Sequence, residues 1–389
     1  MKPFVTINTT ASTPLGTQIQ EQIRSRIRNG DLKPGRRIPS IRELSADIGV
    51  SPGIVQQAIA TLTRENYLRT HAGRGIFVNE DRLEDQTIAL VLPTCELEQM
   101  PRFVRGVKRG LEGHTSNLIV MSADSDFDDE IDLIKHLDKA HISGAIIYPP
   151  LLQEALIPLR ELQRRGIPFV LVNSTFDDIQ VDAVTCDWRQ VGRVMFEELL
   201  ANGHRRIGVV RLEKDAAGIT DEICYGAVEA LYSHGLALDE LPAVRTGSTT
   251  MDTQIPWMNG RKAALRLFHE HPEITAVAAF NDYLTLGTFR AAREVGLRVP
   301  QELSVIGFSD LEVFTMCEPP VTIVDIPHEK MAFQAAGRLL QSLKGERNNG
   351  ANIVRLAPSL IPRGSVGHPS KAQAVGDVRS HVNVGTEQA

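Results

Sequence analysis

The chain has 389 residues, 42% of them apolar and 23% charged, with a net charge of −6. That length exceeds one ordinary core, so two or three domains are expected. No run of eighteen apolar residues occurs, and the opening MKPFVTINTT lacks the apolar stretch of a secretion signal, which argues against a membrane partner and for the cytoplasm. Cys95, Cys186, Cys224 and Cys317 stand far apart without a CxxC pair, so neither a zinc site nor a disulfide framework is expected. The charge is uneven: residues 1–80 carry eleven Lys/Arg against six Asp/Glu, and the remainder carries 31 against 42. A basic head on an acidic body suits nucleic-acid binding by the head alone.

Residues 1–12 show little pattern and read as a flexible arm. Residues 13–79 read as a winged helix-turn-helix. From Leu15, apolar residues recur at Ile19, Ile23 and Ile27, one face of a helix that Asn29-Gly30 ends. Lys33-Pro34-Gly35 makes a turn. Ser40 with Glu43 three residues on is a capping box, and Ile41, Leu44 and Ile48 give that second helix its buried side before Gly49 stops it. Ser51 is placed as an N-cap with Pro52 at the first helical position, and Ile54, Val55, Ala58, Ile59 and Leu62 carry the third helix into the core. Tyr67–Thr70 and Gly75–Val78 then read as two short strands joined by a glycine-flanked wing.

A helix of this kind fits the major groove with its N-terminal residues at base edges. Ser51, Gly53, Gln56 and Gln57 fall there, and the two glutamines suit bidentate bonds to adenine. Ser40, Arg37 and Arg42 are placed for phosphates, and Arg74 at the wing tip for phosphate or the minor groove. The stretch from Asp31 to Val78 resembles the GntR-type winged helix almost end to end. The resemblance rests on Leu32, Pro34-Gly35, Ile38-Pro39-Ser40, Arg42-Glu43-Leu44, Val50-Ser51, Gly73 and Gly75-Ile76-Phe77-Val78. The family often has Arg after the Val-Ser pair, Thr two positions later and Arg at the place of Gln56. Here Pro52, Ile54 and Gln56 stand instead, so the base preference of other members does not carry over.

Residues 80–86 read as a charged linker. Beyond it, apolar runs at Thr87–Leu92, Leu118–Ser122, Gly144–Tyr148, Phe169–Val172, Ile207–Arg211, Ala276–Phe280 and Ser304–Phe308 read as buried strands. Helical stretches such as Phe103–Glu112, Glu130–Ala140, Val191–Asn202 and Asn281–Val295 lie between them. Such alternation predicts an α/β architecture of parallel sheets, too many strands for one ordinary sheet, hence two lobes with a ligand cleft at the strand ends.

Gly203-His204-Arg205-Arg206-Ile207-Gly208, Ala279-Phe280-Asn281-Asp282 with Leu286-Gly287, and Val299-Pro300 followed by Leu303–Phe308 resemble the effector domain of LacI-type repressors. Pro319-Pro320-Val321-Thr322 and Leu360-Ile361-Pro362-Arg363 extend the likeness over residues 87–363. It implies a fold similar to periplasmic sugar-binding proteins, a homodimer, and a small polar effector. A GntR head on such a body resembles the arabinose-repressor subgroup, which makes a carbohydrate the first expectation. By position in the family pattern, Asn281, the ring-stacking Phe103, Asn173, Ser309 and Asp310 are the effector-binding candidates. Tyr148 and Trp188 are further candidate linings, with ordinary core packing the alternative for an aromatic at a strand end. Ser309 replaces the first Asp of the usual Phe-Asp-Asp. Ile223, three residues before Gly226, stands where the family has a sugar-clamping Arg. Losing that Arg and a carboxylate removes strong charge-assisted hydrogen bonds, so a non-sugar or vestigial pocket stays open as an alternative.

Enzyme chemistry is not expected. There is no GxSxG elbow and no GxxxxGK[ST] loop. Gly73-Arg74-Gly75 precedes no helix, and His269-Glu270-His271 is broken by Pro272 with no third ligand in range. Neither a metal nor a cofactor is implied. Residues 364–389 lack apolar periodicity and read as a disordered tail. The sequence thus predicts a ligand-responsive regulator of double-stranded operator DNA, probed against two rivals: a solute receptor for transport, and a winged-helix fusion to an enzyme.

Overall fold

Three helices and a three-stranded sheet form the head of the chain. The computed structural model describes residues 4–8, 13–28, 31–65, 67–71, 73–79, 86–95, 97–114, 116–123, 127–137, 142–212, 218–236, 243–246, 257–345 and 351–369. Two units emerge, Met1–Ile88 with Leu111–Leu118, and Ala89–Gly110 with Ile119–Ala389. The head contains α1 (Leu15–Arg28), β1 (Arg37–Ile38), α2 (Ile41–Ile48), α3 (Pro52–Arg64), β2 (Leu68–His71) and β3 (Gly75–Val78). Its sheet is antiparallel in the order β1-β3-β2. Ile19, Ile23 and Ile27 of α1 meet Leu44, Val55, Ile59, Leu62, Ile76 and Val78 in one core, as the helical spacing requires.

The predicted capping box is formed: Ser40 Oγ accepts from Glu43 N at 3.3 Å, and Glu43 Oε2 accepts from Ser40 N at 2.7 Å. Ser51 occupies the next N-cap position in an extended conformation, but its side chain makes no capping bond. The expected flexible arm needs correction where it is described. Val5 is buried in the head core, and the segment is tied to α1 by two glutamines four residues apart. Gln18 Oε1 accepts from Asn8 N at 2.9 Å while its Nε2 donates to Asn8 O at 3.0 Å. Gln22 Oε1 accepts from Thr6 N at 2.8 Å and its Nε2 donates to Thr6 O. The side-chain amides take the place of a neighbouring strand, which satisfies backbone groups that a loose arm would leave to water.

The second unit holds two six-stranded sheets. The first lobe comprises β4 (Gln86–Leu92), α4 (Met100–Gly110), β5 (Ser116–Ser122), α5 (Phe127–Lys135), β6 (Gly144–Ile147), α6 (Leu156–Arg164), β7 (Phe169–Asn173) and β8 (Asp182–Cys186). The second comprises α7 (Trp188–Ala201), β9 (Ile207–Leu212), α8 (Ile219–Ser233), β10 (Ala243–Thr246), α9 (Trp257–Glu270), β11 (Ala276–Ala279), α10 (Asp282–Glu294), β12 (Ser304–Phe308), α11 (Glu312–Met316) and β13 (Thr322–Asp325). The chain then returns through α12 (His328–Leu343) and β14 (Ile353–Leu356) to the first lobe, and ends in the second with β15 (Ser359–Ile361). Strand orders are β5-β4-β6-β7-β8-β14 and β10-β9-β11-β12-β13-β15, with β15 antiparallel to β13. The backbone therefore passes between lobes three times, after β8, β13 and β14.

Helices lie against one another at glycine-lined crossings. A Cβ on Gly226 of α8 would stand 1.8 Å from Arg189 O of α7, and one on Gly192 would stand 1.9 Å from Ile223 O. Gly106 of α4 meets Glu329 O of α12, and Gly287 of α10 meets Trp257 O of α9, in the same way. Ile223 is fully buried in this packing, which accounts for an apolar residue at the place where the resemblance implies an arginine.

The tail expected from residue 364 also needs correction for its first residues. Ser365 is fully buried; its hydroxyl donates to Val305 O at 2.6 Å and accepts from Thr322 N at 2.8 Å. Gly367 O lies 2.8 Å from Nε2 of the buried His204. These polar anchors carry no apolar periodicity, so the sequence pattern does not show them. The remaining tail from 370 and the linker residues 80–85 lie outside the described residues.

Gly226→Ala is expected to destabilise the second unit by roughly 1–3 kcal/mol, because only backbone could move to admit the methyl group. Gly337→Ala, whose Cβ would meet nothing within 4 Å, is expected to be neutral or to stabilise by up to about 1 kcal/mol through helix propensity. Thermal unfolding of the two variants, followed by circular dichroism, separates these outcomes.

Candidate functional site

On the head, the sequence-selected residues lie at the surface or half-buried beneath it. Arg37, Arg42, Ser51, Gly53, Gln56, Gln57 and Arg74 are exposed and Ser40 is half-buried. The arginines of the head fall into two groups. Arg24 pairs with Glu65 at 2.6 Å and lies over the Tyr67 ring, and Arg26 donates to Phe4 O at 2.7 Å, so both are committed to the fold. Arg37, Arg42 and Arg74 make no ion pair and no side-chain hydrogen bond among the described residues. Arg37 lies across the wing base, where Gly75 has φ 118° and a Cβ would stand 2.9 Å from Arg37 Nε. Arg69 and His71 share a concavity with Arg74. Sequence reasoning missed them, although their two-residue spacing on β2 puts both on one face.

The second site is a cavity of about 180 Å³ at the carboxyl ends of the strands, walled by both lobes. Of the seven effector candidates, Tyr148, Asn173, Trp188, Asn281 and Ser309 line it. Asn173 ends β7 and Ser309 follows β12, the corresponding strands of the two sheets, and both have left-handed backbones with φ of 72° and 69°. Such conformations cost non-glycine residues on the order of 1 kcal/mol or more and gather at functional sites. Asn173 Nδ2 donates to Tyr148 Oη at 2.8 Å. Asn281 caps α10, its Oδ1 accepting from Leu284 N at 2.7 Å, and also lines the cavity.

Two candidates are corrected. Phe103 is fully buried behind the wall, edge-on to Tyr148 at 5.5 Å and tilted against His328 at 5.2 Å between ring centroids. Its place on the inner face of α4 makes it packing beneath the lining, not part of it. Asp310 does not line the cavity: the turn after Ser309 directs its carboxylate to Arg363.

The polar lining that sequence reasoning missed sits mostly on helices and their approaches: Gln99, Glu130, Asp282, Tyr283 and His328, beside the apolar Pro93, Leu97, Ile219 and Phe280. Asp282 is buried, and burial pushes its carboxyl up to about 6 in spite of a hydrogen bond from Tyr283 N at 2.9 Å. Burial, with Arg102 adding, pushes His328 down to about 3, so its imidazole is neutral. Its Nδ1 has no hydrogen-bond partner among the described residues. Tyr148 keeps its proton, its phenol held above the ordinary range by burial with Asp282 and Glu130 adding.

One segment of the first lobe clasps the second. Glu98 accepts from Glu312 N at the start of α11, and Gln99 Nε2 donates to Asp282 Oδ2 at 3.4 Å. Arg102 reaches Asp325 at 3.4 Å and donates to Asp310 O. Asp310 is thus a structural support of the clasp. Among the described residues no group of His, Cys, Asp and Glu is placed to hold a metal ion, and no helix is long and apolar enough to cross a membrane.

Residues 15–78 match the bacterial regulatory proteins of the gntR family, and residues 196–366 match the periplasmic binding protein-like domain. The chain is a GntR-type helix-turn-helix domain followed by a periplasmic-binding-protein-like domain. Relatives align over most of its length. An arabinose metabolism transcriptional repressor from Geobacillus stearothermophilus is 26% identical over 362 residues, covering 90% of this chain and 97% of its own. The transcriptional regulator MalR of Streptomyces coelicolor is 27% identical over 342 residues, covering 84% and 96%. Among solved structures, a LacI family regulator from Enterococcus faecium with bound ribose has a TM-score of 0.62 at 23% identity, covering 72% of this chain and 99% of its own. A complex of the transcriptional regulator CelR with cellobiose has a TM-score of 0.62 at 24% identity, covering 84% and 100%. These two likenesses speak for the fold of the periplasmic-binding-protein-like domain.

The Asp282 carboxyl holds its proton to a higher pH in the fold than at its ordinary value of 3.8. Its contribution to stability is therefore complete below that value and is lost as pH climbs through about 6. Asp282→Asn is expected to stabilise the periplasmic-binding-protein-like domain by up to about 3 kcal/mol near neutral pH, and to leave it unchanged near pH 4. Denaturant melts of both proteins across that range check the sign.

Proposed function

We propose that the chain is a ligand-responsive transcriptional regulator, a homodimer that represses an operon for carbohydrate use from the cytoplasm. The observation that carries this reading is the pairing, in one chain, of three exposed arginines with no ion pair among the described residues and two exposed glutamines on α3 with a cavity enclosed by two lobes. The first set suits phosphates and base edges; the second suits a small polar molecule. Arg37, Arg42, Ser40, Ser51 and Arg74 take phosphates in this reading, and Gln56 and Gln57 read bases from the first turns of α3. Ser40 accepts within its capping box and still has a hydroxyl proton to give. Ser51, free of a capping bond, can give its own as well.

Relatives that align over nine-tenths of the chain are named as repressors of arabinose metabolism, and structures of similar fold hold ribose and cellobiose, which supports a carbohydrate class of effector. The effector binds between the lobes, contacting Tyr148, Asn173, Trp188, Asn281 and Ser309, and alters their closure. In a dimer that closure resets the spacing of two winged helices across a palindromic site. The coupling is reciprocal: whatever factor the effector takes from operator affinity, operator takes from effector affinity. A solute receptor would share the cavity but has no use for a basic helix-turn-helix head.

Electrophoretic shifts with DNA from around the coding region, over a salt series, test the reading. Arg42→Ala is expected to weaken every sequence alike and to flatten the salt slope by about one unit. Gln57→Ala is expected to relax base preference at one position, by roughly 1–3 kcal/mol, while leaving the slope intact. Failure of the unmodified chain to bind any fragment at low salt, with or without sugars present, would refute the assignment.

A further inference from the structure

The size and lining of the cavity narrow the effector further, and this step rests on the reading just given. A cavity of roughly 150 Å³ admits one benzene ring. At about 180 Å³ this one holds a single six-membered ring with small substituents, and no disaccharide. Two polar atoms of its lining side chains, Gln99 Oε1 and His328 Nδ1, are buried without a hydrogen-bond partner among the described residues. Gln99 uses an amide N–H on Asp282 Oδ2 at 3.4 Å, and His328 is only 5% exposed. Buried polar atoms of this kind are costly unless a ligand or water answers them. The His328 ring is neutral, so Nδ1 donates or accepts according to the tautomer. A hydroxyl group answers either case, and it donates to Gln99 Oε1 as well.

Apolar lining comes from other segments. Pro149, Pro150, Leu151 and Leu152 follow one another after β6 and all line the cavity, with Leu97 from the segment before α4. Leu97, Leu151 and Leu152 are only half-buried, so each keeps apolar surface that a ligand can cover. From α8, the helix on which the resemblance implies a sugar-clamping arginine, only Ile219 lines the cavity among the described residues. No Lys or Arg lines it among them either, which leaves an acidic sugar without an ion-pair partner. A hydroxyl set against the leucines would lose its water and gain no hydrogen bond. A methyl group there gains about fourfold in affinity from burial. We propose that the effector is an uncharged single-ring sugar whose exocyclic carbon is a methyl group, a 6-deoxyhexose, with ring hydroxyls at Gln99 and His328 and its methyl group against the leucines.

Calorimetry on the full chain tests this with sugars that differ at one carbon. Rhamnose, fucose and 6-deoxyglucose are each compared with the parent hexose, the matching pentose and the matching hexuronate, which carry hydroxymethyl, hydrogen and carboxylate in place of the methyl group. At least one 6-deoxyhexose is expected to bind about fivefold or more tighter than its hexose and about threefold or more tighter than its pentose, and the hexuronates are expected not to bind. Leu97→Asn and, separately, Leu152→Asn are each expected to bring the methyl-over-hydroxymethyl preference to within about twofold. His328→Phe, which keeps a ring against Phe103, is expected to weaken the uncharged sugars alike by about fivefold and to keep that preference. Two leucine variants are used so that one folding defect does not decide the result, and thermal melts monitor all three proteins. Equal or tighter binding of the hexoses, pentoses or hexuronates, binding by none of the series, a preference untouched in both leucine variants, or unchanged affinity in His328→Phe would overturn the proposal. Operator binding by the empty protein is measured apart. Release of DNA by a hexose or pentose in preference to its 6-deoxyhexose would sink this proposal and leave the regulator standing, whereas 6-deoxyhexose binding without any DNA affinity would do the reverse.

Discussion

The cavity and the crossing between lobes depend on one carbonyl oxygen. Asn173 O, at the end of β7, accepts from Thr185 Oγ1 at 2.6 Å and from Trp188 Nε1 at 3.1 Å. Thr185 belongs to the first lobe; Trp188 opens α7, the helix that packs beneath β11, β12 and β13 of the second. The indole ring lies 5.7 Å from that of Phe308 at the end of β12. A single acceptor thus fixes the strand end, the first passage of the backbone between lobes, and the aromatic floor of the cavity. It can do so because Asn173 adopts φ 72°, a conformation asparagine tolerates better than most side chains. Loss of the carbonyl's direction would disturb the binding surface and the hinge together.

The second lobe repeats this plan with one change. Ser309 stands at the equivalent strand end with nearly the same φ. Serine keeps the backbone shape there but brings no charge. The carboxylate one residue on, Asp310, is turned to Arg363, whose other amine donates to Val321 O at 2.9 Å. What the cavity loses in charge at position 309 it holds instead at Asp282 and Glu130, on the first turns of α10 and α5. Acidic groups near a helix N-terminus are favoured by the helix dipole and the open amides there. Two buried carboxyls are therefore tolerable at these positions in a way they would not be at mid-strand.

Strand ends were legible because each falls where an apolar run meets a polar residue, as at Asn173 after Phe169–Val172 and Asn281 after Phe280. The head was legible for a different reason: its signals are local, a capping box over four residues and an isoleucine every fourth position. Phe103 was misplaced because sequence position near a strand end does not say which face of α4 a ring takes. Gln99, Glu130 and His328 escaped notice because nothing in their own neighbourhoods marks them; only the meeting of distant segments makes them a surface. Asp282 adjoins a recognised residue, yet its burial is a property of the closed lobes. The docking of residues 4–8 by Gln18 and Gln22 is invisible for the same reason, since a polar side chain on a helix reads as solvated until its partner is placed.

The clasp between lobes is weak by design of its parts. Arg102 and Asp325 each keep 27% of their side-chain surface exposed and meet at 3.4 Å, a geometry worth at most about 1 kcal/mol. The Gln99–Asp282 bond is long, and a typical net hydrogen bond contributes only about 0.5–1.5 kcal/mol. Together with the Glu98 contact to α11, the protein's own links can favour closure by a few kcal/mol and no more. Driving a two-state element from one in a hundred to ninety-nine in a hundred needs about 5.5 kcal/mol of differential binding. The balance must come from a molecule that touches both walls at once, and the cavity's polar groups are distributed to require this: Tyr148 and Asn173 on one side, Asn281 and Ser309 on the other. A ligand held by one wall alone would bind without moving the lobes, and would therefore carry no message to the head.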